Sequence, residues 1–391
     1  MKLVVIGFGQ CGGRIADEFA RLNSRARGLR GLNIVTGAYA VNTDLADLSG
    51  LHTIKPDFDH RIIIGNKKTG GHGVGKINEL GAEIAREDAD KVIESIRNTK
   101  EFQETDAFLL CAGAAGGTGS GSVGVITQQI KERYVDKPVY NLIVLPFDHE
   151  VQTEDRTVYN VATCLKSSYL VADAIFLVDN QRYVMKNESL KQNLEKINTT
   201  IVQPFFNLLC AGEEKKSQYI GAKILDAGDI IQTLVGWTTL GFGQAQTSAF
   251  RSFFPASRHF RDKARETQKG IRALDQAISG LSIKCNPLDA KRALYLVSAP
   301  AEEINVDLIK ELGTHIKSLA PEAIIRSGDY PREKGSLDVT LVLSEMSDVE
   351  KVRSYFSKAI SLIAELKKRQ EGVVSTQRGI DITIKDIPSL L

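Results

Sequence analysis

Ala112–Gly121, which reads A-G-A-A-G-G-T-G-S-G, constrains this chain more than any other stretch. It follows the apolar run Ala107–Cys111 and precedes a helical pattern over Ser122–Arg133, so the order is strand, glycine loop, helix. Gly113, Gly116, Gly117, Gly119 and Gly121 leave the backbone with little side-chain bulk, and Thr118 and Ser120 add hydroxyls. Such a loop can press its N–H groups against a bulky anion, and the helix behind it adds the positive end of its dipole. The chemistry implied is binding of a di- or triphosphate. A flexible linker has a similar composition, but not a place between a buried strand and an amphipathic helix.

Composition mainly excludes. With 391 residues, 42% apolar and 25% charged, this is ordinary globular chemistry in about two to three domains. The net charge is +2 and neither half carries a basic block, so no nucleic-acid partner is expected. No apolar run approaches the roughly 18 residues of a membrane helix, and none is expected to be integral to a membrane. Met1–Gly7 is too short in its apolar part for a signal peptide, which makes the cytoplasm the expected compartment. Cys11, Cys111, Cys164, Cys210 and Cys285 are scattered and read as small core residues of a reducing compartment. The six histidines form no ligand spacing, so no structural metal is expected.

In chain order, Lys2–Ile6 reads as a strand buried on both faces. Gly7-Phe8-Gly9-Gln10-Cys11-Gly12-Gly13 follows, then an amphipathic helix through Phe19 and Leu22. Gly7, Gly9 and Gly12 satisfy the dinucleotide fingerprint, so an NAD-dependent oxidoreductase is the rival reading. That fingerprint expects an acid about 20 residues on. The second apolar run, Gly37–Val41, ends in Asn42-Thr43-Asp44 well beyond that spacing, and the rival has no use for a second glycine loop. A strand at Arg61–Gly65 leads into Thr69-Gly70-Gly71-His72-Gly73-Val74-Gly75, which as glycine-rich chain also suits a plain turn.

The reading continues with helix Asp88–Asn98, strand Asp106–Cys111, helix Val123–Arg133, strand Val139–Leu145, helix Glu154–Ser168 and strand Ala174–Val178. Glu188–Leu209 carries apolar residues at helical spacing, with Pro204 expected to kink or weaken it. Trp237–Lys284 reads as a partly helical connector whose basic stretch, Arg258–Lys269, is a solvated face. Strand Arg292–Ser298, helix Val306–Leu319, strand Glu322–Ile325, a turn at Gly328–Pro331, strand Leu337–Leu343 and helix Val349–Lys367 compose an α+β domain.

A-G-G-T-G-S-G closely resembles the tubulin/FtsZ signature G-G-G-T-G-[ST]-G, with Ala115 in place of the first glycine. G-Q-C-G resembles the first nucleotide loop of tubulin, and N-T-D the second loop of FtsZ. T-G-G-H-G-V-G resembles the FtsZ loop that approaches the γ-phosphate. V-D-N-Q-R-Y resembles tubulin's I-D-N-E-A-L-Y, whose asparagine hydrogen-bonds guanine, and Tyr159-Asn160 precedes it as tubulin's Y-N pair does. The chain is thus similar to the tubulin/FtsZ superfamily, above all over residues 1–236, and looks most like its CetZ branch, the archaeal tubulin-like cell-shape proteins.

The resemblance implies an α/β fold: a Rossmann-type GTPase domain over 1–186, a long central helix over 187–211, a catalytic loop and connector over 212–285, and a smaller α+β C-terminal domain over 286–391. It implies GTP binding and hydrolysis coupled to self-association into longitudinal filaments that control cell shape or division. Gly9, Gln10, Cys11 and Gly12 would contact the α- and β-phosphates, with Asn42 and Asp44 in the second loop. Gly70, Gly71, Gly73 and Gly75 would sense the γ-phosphate; the family carries no catalytic histidine there, so His72 is given no role. Gly113, Ala115, Gly116, Gly117, Thr118, Gly119, Ser120 and Gly121 would cradle the phosphates. Mg2+ on the phosphates is expected from phosphoryl-transfer chemistry, with no all-protein ligand set for it.

Asn180 and Asn198 would read guanine, and Glu154, with Arg156, would lie near the ribose. As plain residues, Asn180 is also suited to cap a helix and Asn198 to a solvated helix face. Asp226 and Asp229 match the acids of the FtsZ motif N-x-D-x-x-D, with Ile224 where the asparagine should stand. They would position or deprotonate the attacking water of the next subunit, or else cap a helix and complement its dipole. Ile224 and Ala115 keep open a regulator that binds nucleotide but hydrolyses it poorly. Asp386–Leu391 resembles the FtsZ tail motif, but the long linker before it is missing and no adaptor is assigned.

Overall fold

In the computed structural model, residues 1–184, 189–246, 260–333, 335–371 and 388–390 are described; Asp386, Ile387 and Leu391 of the tail motif and part of the basic stretch lie outside them. The elements begin β1 (Leu3–Phe8), α1 (Gly9–Arg30), β2 (Val35–Asn42), α2 (Leu45–Ser49), β3 (Arg61–Ile63), α3 (Asn66–Thr69), α4 (Asn78–Glu87) and α5 (Ala89–Arg97). Next come β4 (Ala107–Gly113), α6 (Thr118–Arg133), β5 (Val139–Leu145), α7 (Asp148–Thr153), α8 (Asp155–Val171), β6 (Ala174–Asp179) and α9 (Leu190–Ala211). The chain closes with α10 (Ala227–Thr233), β7 (Gly236–Gln246), α11 (Phe260–Ser279), β8 (Arg292–Ala299), α12 (Val306–Leu319), β9 (Ile324–Pro331), β10 (Ser336–Met346) and α13 (Glu350–Glu371).

Contacts divide the chain into two units. The larger holds Leu3–Arg21, Val35–Asn198 and Asp348–Leu391; the smaller holds Met1–Lys2, Leu22–Ile34 and Thr199–Ser347. In the larger unit, strands run parallel in the order β3-β2-β1-β4-β5-β6. β1, β5 and β6 are buried at every residue, which is why they read as unbroken apolar runs and not as alternation. The chain turns one way after β1 and the other way after β4, so the carboxyl ends of these two neighbours flank a switch point.

Helices α4, α6, α8 and α13 pack in succession beside this sheet. The helix expected from Asp88 is preceded by a further, unexpected one, α4. α4 is seated by a backbone contact: a Cβ on Gly121 would stand 2.2 Å from the Asn78 carbonyl oxygen, so α4 and α6 cross with almost nothing between them. The last helix, α13, also packs on α8, and its Lys351 Nζ lies 2.7 Å from the Asp179 carboxylate. Leu390 is buried as well, its N–H donating to Ser167 Oγ at 2.9 Å.

In the smaller unit, β10 pairs antiparallel with β7 and β8, and β8 pairs parallel with β9. The connector expected at 237–284 is here the strand β7 and the helix α11. Ideal Cβ atoms on Gly241 and Gly243 would stand 2.2 and 1.9 Å from the carbonyls of Ala277 and Ala273, so these glycines seat α11 on the strand. The turn expected at Gly328–Pro331 is likewise the buried half of β9. Asp329 serves there as an anchor, accepting from the N–H groups of Ala222 and Lys223 at 3.0 and 2.6 Å. Helix α9 continues through Pro204.

One buried ionic cluster in this unit had no sequence signal. Glu214, with a fully buried side chain, accepts from Tyr330 Oη and Arg332 at 3.2 Å each, and Arg30 donates to Tyr330 Oη at 2.6 Å. Burial pushes the Arg332 guanidinium down to about 10, with Arg30 adding to the effect.

Candidate functional site

Four loops from the carboxyl edge of the parallel sheet converge on the first turn of α6. A Cβ on Gly9, whose φ is +66°, would lie 3.1 Å from Gly119 N, so the first residue of α1 abuts the first turn of α6. Thr43 Oγ1, after β2, lies 2.6 Å from Thr118 Oγ1. An ideal Cβ on Gly117 would meet Val74 at 2.5 Å and Lys76 C and Ile77 N at 3.0 Å, which places the loop after β3 against the loop after β4. Two helix N-termini therefore face one space, each with unpaired N–H donors and positive dipole character.

The expected cradle differs in one respect: Thr118–Gly121 are the opening turn of α6 and not loop. Gly121 N donates to Gly117 O at 3.1 Å inside the helix, and the Ser120 hydroxyl donates to the Gly116 carbonyl. The space itself is a cleft of about 310 Å³. Gly9, Gln10, Cys11, Asn42, Asp44, Gly73, Gly113, Ala115, Gly116, Gly117, Thr118, Gly119 and Asn180 line it. Gly12, Gly70, Gly71, Gly75, Ser120, Gly121, Glu154 and Asn198 stand outside its lining. Gly12 seats α1 on β4, since a Cβ there would lie 2.0 Å from the Cys111 carbonyl.

One wall is acidic. Asp47 accepts from Gln10 Nε2 at 2.8 Å and from Asn42 Nδ2 at 3.0 Å, while Asp44 caps α2 through the N–H groups of Ala46 and Asp47. Glu150 also lines the cleft. Burial pushes the Cys11 thiol up to about 12, so it stays protonated and acts as packing. At the far end, Asn180 follows β6 and is 9% exposed. The capping open to it in the sequence falls instead to Asp179, which accepts from Gln181 N.

Asn160, quoted in the sequence only as half of a Y-N pair, is a hub. Its Nδ2 donates to Lys76 O and Ala115 O at 2.9 Å and to Gly116 O at 3.3 Å, joining two glycine loops from one buried side chain. Asn160→Ala is expected to lower stability by about 1–3 kcal/mol, the range for stranding buried partners. Urea unfolding checks this, and an unchanged midpoint would mean that the loops hold without it. Lys76 was missed too, although a lysine closing a glycine-rich run is itself a phosphate-type signal. Its Nζ pairs with the Glu154 carboxylate, and Arg156 pairs with Glu79.

Asp226 and Asp229 stand in the smaller unit and do not line this cleft. Asp226 is the N-cap of α10, its Oδ1 accepting from Asp229 N at 2.8 Å. The Asp229 carboxylate lies 3.3 Å from Arg326 Nε. Ile224 is 49% exposed beside them.

A cleft at the switch point of a doubly wound parallel sheet, walled by glycine loops and two helix N-termini, defines a nucleotide-phosphate-binding protein. The family model "Tubulin/FtsZ family, GTPase domain" matches residues 2–187, and "Tubulin-like CetZ, C-terminal domain" matches residues 187–361. Tubulin-like protein CetZ1 of Haloferax volcanii is 33% identical over 378 residues, covering 92% of each chain. The solved GDP-bound monomer of CetZ1 from Haloferax volcanii has a TM-score of 0.80 at 31% identity, over 93% of this chain and 100% of that one. The GTPγS-bound protofilament of CetZ2 from Haloferax volcanii has a TM-score of 0.80 at 28% identity, over 94% and 100%. The chain belongs to the tubulin/FtsZ family, in its CetZ branch.

Proposed function

We propose that this chain binds GTP in the cleft, hydrolyses it, and assembles into cytoskeletal filaments. The observation that carries the reading is the meeting of Gly9 with the first turn of α6, which aims two helix N-termini at one glycine-walled space. The CetZ1 structure with GDP and the CetZ2 protofilament with GTPγS support it. The backbone donors of Gly9–Cys11 and Gly117–Gly119 hold the phosphates, and loop 70–76 closes over their terminal end. Asn180, nearly buried and set after β6, offers the donor and acceptor that a guanine edge needs.

Magnesium fits this site as a cation bound chiefly by phosphates and water. Among the described residues, no group of three His, Cys, Asp or Glu side chains could hold a metal, while Asp44 and Asp47 supply hard oxygen donors on the cleft wall. Bound there, Mg2+ would neutralise charge developing on the phosphate oxygens. Asp226 and Asp229 act in trans: one subunit presents them to the cleft of the next along a filament, where they orient the attacking water and take its proton. The cytoplasm is the compartment that suits five cysteines with no disulfide among them. No helix among the described residues is long and apolar enough to cross a membrane.

Calorimetric titration with GTP, GDP and ATP tests the nucleotide assignment. Asn180→Ala is expected to weaken GTP binding by about 1–3 kcal/mol and to narrow the preference over ATP. Undiminished discrimination in that variant would pass the base-reading role to Asn198.

A further inference from the structure

Charge is unevenly placed in the cleft. Asp44, Asp47 and Glu150 bring three carboxylates to its lining, and among the described residues that line it Lys76 is the one cation. A nucleoside triphosphate adds several more negative charges. The backbone around Lys76 is unusual too. Gly70, Gly71, Gly73, Gly75 and Lys76 all hold left-handed φ, and Lys76, at +62°, is the one non-glycine among them. A side chain kept where glycine is easier points to a use for that side chain.

The lysine is fixed at its root and loose at its tip. Its carbonyl accepts from Asn160 Nδ2 at 2.9 Å and from Arg156 Nε at 3.4 Å, and its carbon abuts Gly117 of the phosphate loop. Its Nζ pairs with Glu154, but the two side chains are 41% and 43% exposed, so water screens the pair and exchange is easy. With the base against Asn180 after β6, the strand order lays a phosphate chain across β4 and β1 toward the loops after β2 and β3. Lys76 belongs to the loop that the terminal phosphate would reach.

We propose that Lys76 leaves Glu154 for the terminal phosphate of a bound nucleoside triphosphate, and so sets the preference for triphosphate over diphosphate. This rests on the nucleotide reading above. A lysine suits the task because its ammonium is a compact point charge with rotatable donors on a flexible stem.

Calorimetry with GTPγS and with GDP, in EDTA and in MgCl2, tests it. Lys76→Met should weaken GTPγS binding about ten-fold or more while GDP changes by less than about two-fold, and Lys76→Arg should restore most of the difference. The contrast should be larger in EDTA, where no divalent ion shares the charge. Lys76→Gly relieves the left-handed strain and should melt no lower than the wild type, so its selective loss of GTPγS binding cannot be ascribed to misfolding. Equal losses for both nucleotides, or none for either, would overturn the role of Lys76 while leaving the nucleotide site standing. A wild-type chain that binds neither nucleotide would overturn the site itself, and the inference with it.

Discussion

Asp226→Asn is expected to bind GTP as the wild type does, to assemble, and to turn GTP over roughly 10²–10⁴-fold more slowly, the range for a positioned acid–base group. Asparagine is the informative replacement because Asp226 caps α10. It keeps a capping oxygen and removes the charge, whereas alanine would also cost about 1 kcal/mol of helix stability. Filaments of the variant should persist longer, since the nucleotide that holds them together is consumed slowly. In the proposed mechanism the catalytic carboxylates come from the neighbouring subunit, so specific activity of the wild type should rise with protein concentration. A dilution series reads this directly. Activity per molecule that stays flat down to concentrations with no detectable oligomer would mean that each subunit is a complete enzyme, and catalysis in trans would be wrong.

Gly117→Val is expected to lower GTP affinity by on the order of 10²-fold or more, since holding the loop off the phosphates loses hydrogen bonds to charged groups worth about 1.5–3 kcal/mol each. Backbone strain is not the cause: Gly117 sits at φ −84° and ψ −55°, where valine is allowed. The obstacle is Val74 at 2.5 Å from the new Cβ, with backbone atoms of Lys76 and Ile77 at 3.0 Å. The branched side chain must therefore wedge loop 70–76 away from the first turn of α6. Circular dichroism should show a folded protein, because the rest of α6 and the sheet are untouched. A folded variant that binds GTP with near wild-type affinity would remove the phosphate role from this loop.

The larger unit was legible because its strands are buried on both faces and its loops are made of glycine. β5 was read residue for residue as Val139–Leu145; in the smaller unit the strongly periodic α12 was likewise read as Val306–Leu319. Elements built on close backbone contact were harder. β7 carries glycines that seat α11, and a G-F-G run has the local appearance of a turn. In β9, Gly328 and Asp329 are turn residues by propensity, yet they lie in a strand because β8 pairs with them and Asp329 anchors the 222–223 backbone. The start of α6 was misplaced by four residues for the same reason: small residues lower helix propensity, while packing against α4 restores it.

Residue type and spacing alone set the presence of the glycine loops, the buried strands and the asparagine after β6, because hydrophobic period and backbone freedom act over a few neighbouring residues. The meeting of those loops is a different matter. Thr43 reaches Thr118, and Asn160 joins Lys76 to Ala115 and Gly116, only once the order β3-β2-β1-β4-β5-β6 has brought their strand ends together. The acidic residues of the cleft and the lone cation among its described lining residues likewise became visible through distance. Contacts between residues far apart in the chain depend on strand order and register, which no local pattern encodes.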